Sequence, residues 1–301
     1  MTPPLSAWIQ ATRPRFFPAI VVPVLLGTAV AYRTTGAFFP GALALTLLAA
    51  VLCHAGGNVL NDYFDHRFGA DSENPDPITP FAGGSRMIQN GVLSPPATLR
   101  FGLALLGAGA LAGLILVGRA GPGLLVIGGG GVFLAYFYSA PPFKLNYRGV
   151  GEIVIGLNFG LLPAAGAFLV QARRFDAALL LPALCVSILV ALVLFVNEFP
   201  DARWDGGAGK KTWVVRWGVP ASVRVFAFLL GLPYLVVLFG AATGAMPPLA
   251  ATALLTFPLA FKIVSRLKSG WERPRELLPA IRTTIGLHAF FGTLLTTGYL
   301  A

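Results

Sequence analysis

Apolar residues in this chain come in long unbroken runs separated by short polar stretches, not in alternation with polar positions. Nine runs stand out, over residues 16–32, 38–60, 101–117, 121–140, 153–170, 177–196, 225–243, 248–261 and 279–300. A helix needs about 20 apolar residues to cross the hydrocarbon core of a bilayer. A membrane barrel would instead show segments of about ten residues with alternating hydrophobicity. The pattern predicts an all-α polytopic membrane protein with nine transmembrane helices. Pro18, Pro23, Pro163, Pro182, Pro233 and Pro258 fall inside the runs. Lipid-embedded helices tolerate them where neighbours satisfy the freed backbone groups.

Composition closes off the soluble alternatives. Of 301 residues, 56% are hydrophobic and only 11% charged, against about a quarter charged in soluble domains. A water-soluble globule would lack the polar surface to cover itself. The same figures exclude disordered, collagen-like and disulfide-scaffold chains. Residues 1–301 are read as one transmembrane domain. Cys53 and Cys185 lie inside apolar runs as small core residues, and two cysteines make neither a zinc spacing nor a disulfide framework.

Twenty-two basic residues against 12 acidic give a net charge of +10. No three basic residues adjoin, and no soluble domain presents a face to nucleic acid, so the excess is read as topology. Eighteen of the 22 fall on one side of the nine spans, with Arg33, Arg119, Arg173 and Arg174 on the other. The positive-inside rule then places the N-terminus in the cytoplasm and the C-terminus outside, in a bacterial-type cytoplasmic membrane. Arg13 and Arg15 ahead of an apolar core, with Ala29-Val30-Ala31 behind it, imitate a secretory leader. The first run is read as an uncleaved helix of the bundle.

The acids are concentrated. Asp62, Asp65, Asp71, Glu73 and Asp76 follow the second run, and Glu198, Asp201 and Asp205 end the sixth, which is eight of the twelve. Asn61 and Asp65 are four apart and share a helix face; Asn197, Asp201 and Asp205 repeat that spacing as Asn-x3-Asp-x3-Asp. Magnesium favours carboxylates together with substrate phosphates over an all-protein cage. Two such faces turned toward each other suit Mg²⁺ ions and a diphosphate; helix capping and solvation of helix ends explain one motif but not two on one side of the membrane. Cations lie close by in sequence. Gly83-Gly84-Ser85-Arg86 combines backbone amide donors with a guanidinium, Gly209-Lys210-Lys211-Thr212 follows the second acidic motif, and Tyr138 to Lys144 ends the fourth run with a phenol and an ammonium. The basic segment from Lys262 to Arg275 has no comparable acidic motif and is read as binding anionic lipid headgroups. Gly128 to Gly131 lies in an apolar run and is read as close helix packing rather than a phosphate loop. His54, His66 and His288 share no metal spacing, and Glu152 is either a helix cap or a site residue.

These residues resemble the UbiA superfamily of intramembrane prenyltransferases. Asn61-Asp62-Tyr63-Phe64-Asp65, extended to Asp71, is similar to its first Asp-rich motif. Asn197-Glu198-Phe199-Pro200-Asp201-x3-Asp205, running into Gly209-Lys210-Lys211-Thr212, is similar to the second. Tyr138 to Lys144, continued through Arg148 to Glu152, resembles the loop between them. The likeness runs from about residue 8 to residue 217; each motif is moderately specific and the ordered set strongly so. Gly69-Ala70-Asp71 and Gly83-Gly84-Ser85-Arg86-Met87-Ile88-Gln89 are most similar to the MenA-like branch, whose members prenylate 1,4-dihydroxy-2-naphthoate for menaquinone biosynthesis. At position 69, where the 4-hydroxybenzoate branch usually has Asp, this chain has Gly.

The resemblance implies a UbiA-type helical bundle with its active site on the cytoplasmic side. It implies Mg²⁺ as cofactor, held by Asn61, Asp65, Asn197, Asp201 and Asp205, with Asp71 and Asp62 beside them. Arg86, Lys144, Lys210, Lys211 and Arg13 would neutralise the diphosphate of a polyprenyl donor. Asp65 and Asp201 would carry catalysis, with Tyr138 or Asp62 assisting the phenol of an aromatic acceptor. The isoprenoid tail would lie between helices with a lateral opening to lipid. A protein partner is not implied. The rival class is a cation-coupled secondary transporter, whose acids belong near the bilayer midplane on broken helices; here the acids stand at the ends of spans.

Overall fold

A computed structural model describes residues 3–70, 77–79, 81–271 and 273–301. Every regular element among them is helical. In chain order they are α1 (Leu5–Ala11), α2 (Pro18–Thr35), α3 (Pro40–Phe68), α4 (Pro95–Ala120), α5 (Gly123–Phe137), α6 (Gly151–Gly156), α7 (Leu162–Ala172), α8 (Leu180–Gly207), α9 (Trp213–Trp217), α10 (Val219–Thr243), α11 (Phe257–Gly270) and α12 (Leu278–Leu300). A π-helical turn over Leu157–Leu161 joins α6 to α7, so Gly151–Ala172 forms one broken span.

Seven segments among the described residues are long and apolar enough to cross a membrane. They coincide with seven of the nine expected runs. The other two differ for separate reasons. Helix α5 has 15 residues, about 22 Å at 1.5 Å per residue, which is short of a hydrocarbon core of about 30 Å. Helix α12 is long enough at 23 residues but carries Arg282, His288 and five threonines. Ile115, Val126, Phe228 and Phe261 are 69%, 77%, 66% and 73% exposed on the outside of the bundle. Such a belt suits lipid, not water.

Apolar attraction does not hold helices together in lipid, where close packing of small residues takes its place. Helices α3 and α4 pack along their length in this way. A Cβ on Gly56 would come 2.8 Å from the Leu106 backbone nitrogen, and one on Gly109 would come 2.8 Å from the Ala49 carbonyl. Helix α2 meets α7 where Gly27 lies directly on the Ala164 carbonyl. Phe168, Phe195, Phe226 and Phe291 fill the centre between α7, α8, α10 and α12. Ala29, Val30 and Ala31 are at most 2% exposed in this core, so the residues that imitate a leader cleavage site are part of the bundle.

Gly128 to Gly131 do not do what their sequence setting predicts. A Cβ on Gly128, Gly129 or Gly130 would meet nothing within 4 Å, so close packing is not their role. Each glycine in a helix interior costs about 1 kcal/mol relative to alanine. Here Gly128, Gly129 and Gly131 bare one wall of an apolar cavity of about 340 Å³ between α2, α3, α4, α5 and α7.

Both acidic motifs ride on helix beyond the apolar runs. Helix α3 continues past residue 60 to Phe68, and α8 past residue 196 to Gly207. Gly69 ends α3 in a left-handed conformation, φ +86°, with its N–H donating to the His66 carbonyl. A left-handed cap at this point favours glycine over any side chain, which is a backbone reason for Gly at position 69.

Candidate functional site

The ends of α3 and α8 meet the start of α2 and the loop after α5 around a polar cavity of about 170 Å³. Eight of the residues singled out in the sequence line it: Arg13, Asn61, Asp65, Tyr138, Asn197, Asp201, Asp205 and Lys210. Asp65 and Asp205 are 4% and 8% exposed. Isolated carboxylates at that depth would be strongly disfavoured.

Lys210 resolves this. Its Nζ lies 2.9 Å from Asp65 Oδ2 and 3.4 Å from Asp205 Oδ1, so one ammonium bridges the first motif to the second across 145 residues of chain. Asn61 donates its amide to Asp65 Oδ2 at 2.9 Å and to Ser139 Oγ at 3.0 Å. Tyr147 donates its hydroxyl to Asp65 Oδ1 at 3.4 Å. Arg13 donates to Asn61 Oδ1 at 3.2 Å and forms an ion pair with Asp62.

The Gly83–Arg86 loop closes over the acids. The Gly83 N–H donates to Asp201 Oδ2 at 2.8 Å and the Ser85 N–H to Asp62 Oδ1 at 3.2 Å. Gly83 and Gly84 both have φ near +77°, the backbone freedom that lets the amides turn toward the carboxylates. Arg13, Arg86 and Lys144 are left-handed as well, with φ of +53°, +64° and +45°. Three of the four non-glycine residues with positive φ among the described residues are thus cations expected at the site, and such strain clusters at functional sites.

Several expectations are corrected. Asp62 does not line the cavity; it is buried behind Arg13 and the Ser85 amide and is not placed to assist an acceptor. Arg86 does not line it either. Lys144 points away, its Nζ 3.2 Å from the centroid of the Phe68 ring, a cation–π contact that anchors the loop to the end of α3. Lys211 is exposed and contributes its backbone N–H to the Tyr147 carbonyl at 3.2 Å. Asp71 lies outside the described residues. Tyr138 does reach the cavity. Burial pushes its phenol well above the ordinary range, and Glu198 and Glu152 push it the same way.

The sequence left Glu152 open between a helix cap and a site residue. Glu152 is fully buried and accepts the Trp213 N–H at 2.6 Å. It therefore ties the start of α6 to the segment after the second motif, a structural role. Trp213 completes that brace by donating Nε1–H to the Gly149 carbonyl at 3.2 Å and stacking on Trp217. His54, Asn58 and Asn158 also line the cavity. Their signal is their polarity inside apolar runs, which in membrane spans points to function.

The donor set suits a hard cation shared with an anionic substrate. It consists of carboxylate and amide oxygens, and Asn197 Oδ1 is buried without a hydrogen-bond partner. Among the described residues, no three Asp, Glu, His or Cys side chains are grouped as a ready-made cage.

The sequence profile of the UbiA prenyltransferase family matches residues 20–278. The chain is 31% identical to a 1,4-dihydroxy-2-naphthoate octaprenyltransferase of Mycobacterium tuberculosis, over 98% of this chain and 97% of the relative. It is 29% identical to a 2-carboxy-1,4-naphthoquinone phytyltransferase of Synechocystis, over 97% and 92%. Among solved structures, a UbiA homologue from Archaeoglobus fulgidus bound to GPP and Mg²⁺ superposes with a TM-score of 0.67 at 17% identity, covering 96% of this chain and 99% of that one. The apo structure of a homologue from Aeropyrum pernix gives 0.73 at 14%, covering 95% and 98%. With its two acidic motifs joined at one cavity on a membrane bundle, this chain belongs to the UbiA prenyltransferase family.

Proposed function

We propose that this chain transfers a polyprenyl group from a polyprenyl diphosphate to 1,4-dihydroxy-2-naphthoate, a step of menaquinone biosynthesis, with Mg²⁺ as cofactor. The observation that carries the reading is the meeting of Asn61 and Asp65 with Asn197, Asp201 and Asp205 at the polar mouth of an apolar cavity. The names of the relatives select the acceptor: those of M. tuberculosis and Bacillus subtilis are 1,4-dihydroxy-2-naphthoate octaprenyltransferases.

Asn61, Asp65, Asn197, Asp201 and Asp205 would hold Mg²⁺; bound there, the ion neutralises diphosphate charge and favours its departure. Lys210 and Arg13 take up the remaining negative charge, positioned before reaction so that little reorganisation is needed. The allylic C–O bond breaks and its electron pair leaves with the diphosphate. The apolar walls of the adjoining cavity keep water from the allylic cation. An electron-rich ring carbon of the acceptor forms the new C–C bond, and loss of a proton or of the carboxyl group as CO₂ restores aromaticity. Tyr138 donates a hydrogen bond within the same cavity.

The orientation follows the charge bias. Arg119 and Arg173 lie together at the bundle end opposite the acids, where Arg119 donates to the Val170 carbonyl. The majority of cations belong to the acid-bearing end, so the site faces the cytoplasm. Nine helices, including α5 and α12, then cross the membrane as one domain. Family membership and the end-of-span acids leave coupled transport without support.

The test uses purified protein in detergent with radiolabelled geranylgeranyl diphosphate, offered 1,4-dihydroxy-2-naphthoate or 4-hydroxybenzoate, with Mg²⁺ or EDTA. Mg²⁺-dependent prenylation of the naphthoate alone is the expected result. Product from 4-hydroxybenzoate instead keeps the chemistry and overturns the acceptor.

A further inference from the structure

Asn158 stands where the polar and apolar cavities meet, lining both. It lies seven residues into the broken span that starts at Gly151, about 10 Å deeper in the bundle at 1.5 Å per residue. Its side chain is 7% exposed and has no hydrogen-bond partner among the described residues. A polar side chain this far into a membrane span and facing a cavity is a functional signal.

The backbone there is also unusual. Asn158 belongs to the π-helical turn Leu157–Leu161, a feature that concentrates at functional sites. Pro163 has no N–H to give the Phe159 carbonyl four residues earlier, which loosens the ladder beside the turn. Phe159 shares both cavity walls with Asn158 and stacks on the His54 ring at 4.3 Å and 16°. His54 Nδ1 is buried and partnerless too. Across the cavity, a Cβ on Gly131 would come 3.4 Å from Asn158 Oδ1, so glycine keeps this amide uncrowded.

We propose that Asn158 recognises the acceptor, its amide hydrogen-bonding a hydroxyl or carboxylate oxygen of the aromatic ring, with the ring lodged beside His54 and Phe159. The inference rests on the prenyl-transfer reading and follows by elimination within it. An isoprenoid chain has no polar atom to offer an amide. The diphosphate belongs with Lys210 and Arg13 at the mouth. The acceptor's oxygens are the polar groups left to reach this depth, and a flat ring suits a site walled by stacked rings.

The test compares the full-length wild type with Asn158→Leu, similar in volume but unable to hydrogen-bond, and Asn158→Ser, smaller and still polar. KM is measured separately for 1,4-dihydroxy-2-naphthoate and for geranylgeranyl diphosphate, together with diphosphate release without acceptor. Asn158→Leu is expected to raise the acceptor KM about tenfold or more, the scale of one buried hydrogen bond. Donor KM and acceptor-free diphosphate release stay within about twofold. Should the leucine variant not stay monodisperse, the serine variant carries the same split, with an acceptor KM raised about threefold. An unchanged acceptor KM, or equal rises for donor and acceptor, overturns the proposal while leaving the enzyme's function intact. A wild type that prenylates neither naphthoate nor benzoate overturns the function and this inference together.

Discussion

The two acidic motifs share the Asn-x3-Asp spacing but are held differently. In the first, Asp65 accepts from Asn61, Tyr147 and Lys210, and Asp62 is paired with Arg13. The second is held through other contacts. Asp201 takes a backbone amide from the Gly83 loop, Asp205 shares Lys210 with the first motif, and Asn197 Oδ1 has no partner. Each motif therefore forms one wall of the site, with Lys210 as the hinge between them. The same local spacing is completed by different distant residues, Tyr147 and Lys210 at Asp65 and the Gly83 amide at Asp201.

Removing a carboxylate from either wall should have the largest effect. Asp65→Asn and Asp201→Asn are each expected to lower kcat by about 10²–10³-fold, the scale of losing one preorganised electrostatic group. Size-exclusion profiles should remain unchanged. Activity retained in both variants would remove the basis for a shared metal and diphosphate site.

Lys210→Met distinguishes a hinge from a simple ligand. It strips Asp65 and Asp205 of their bridging ammonium, and breaking a buried ion pair costs about 3–5 kcal/mol. The melting temperature should drop by several degrees and recover when Mg²⁺ and a donor analogue are added together, through linkage. A variant as stable as wild type would mean that the ammonium does not hold the two motifs together.

Tyr138→Phe probes the neighbouring donor. A loss of about tenfold in kcat/KM is expected from removing one hydrogen bond to a charged or developing charge. Because burial and the nearby carboxylates raise the Tyr138 pKa, the phenol keeps its proton through neutral and moderately alkaline pH. The ratio of variant to wild-type rates should stay flat from pH 6 to about pH 9. A ratio that approaches one as pH rises would show the phenol ionising in that range. Lys211→Gln should do least, within about twofold in rate and 0.5 kcal/mol in stability, since its side chain is exposed and only its backbone is used.

The sequence made the local parts of this site legible and left the long-range ones hidden. Helix spacing is enough to put Asn61 with Asp65 and Asn197 with Asp201 and Asp205, because four residues nearly complete a turn. It does not reveal that Lys210 crosses to Asp65, or that Lys144 turns to Phe68 while Arg13 turns inward. Those choices depend on left-handed backbone at Arg13 and Lys144 and on helix ends that adjoin only after packing. The glycine run misled for the same reason: small residues permit close packing, but whether a neighbour arrives is a tertiary fact. Asn158 could have been found as a polar residue midway along an apolar run, and its meaning came only with the two cavities around it.

A double-mutant cycle on Mg²⁺-dependent donor binding tests the central claim, that the two motifs make one site. Radiolabelled geranylgeranyl diphosphate would be titrated against wild type, Asp65→Asn, Asp201→Asn and the double variant. If the motifs hold the same ion and diphosphate, each single change should lose nearly as much affinity as both together, a coupling of at least about 1 kcal/mol. Losses that simply add would mean two independent sites and would contradict the account.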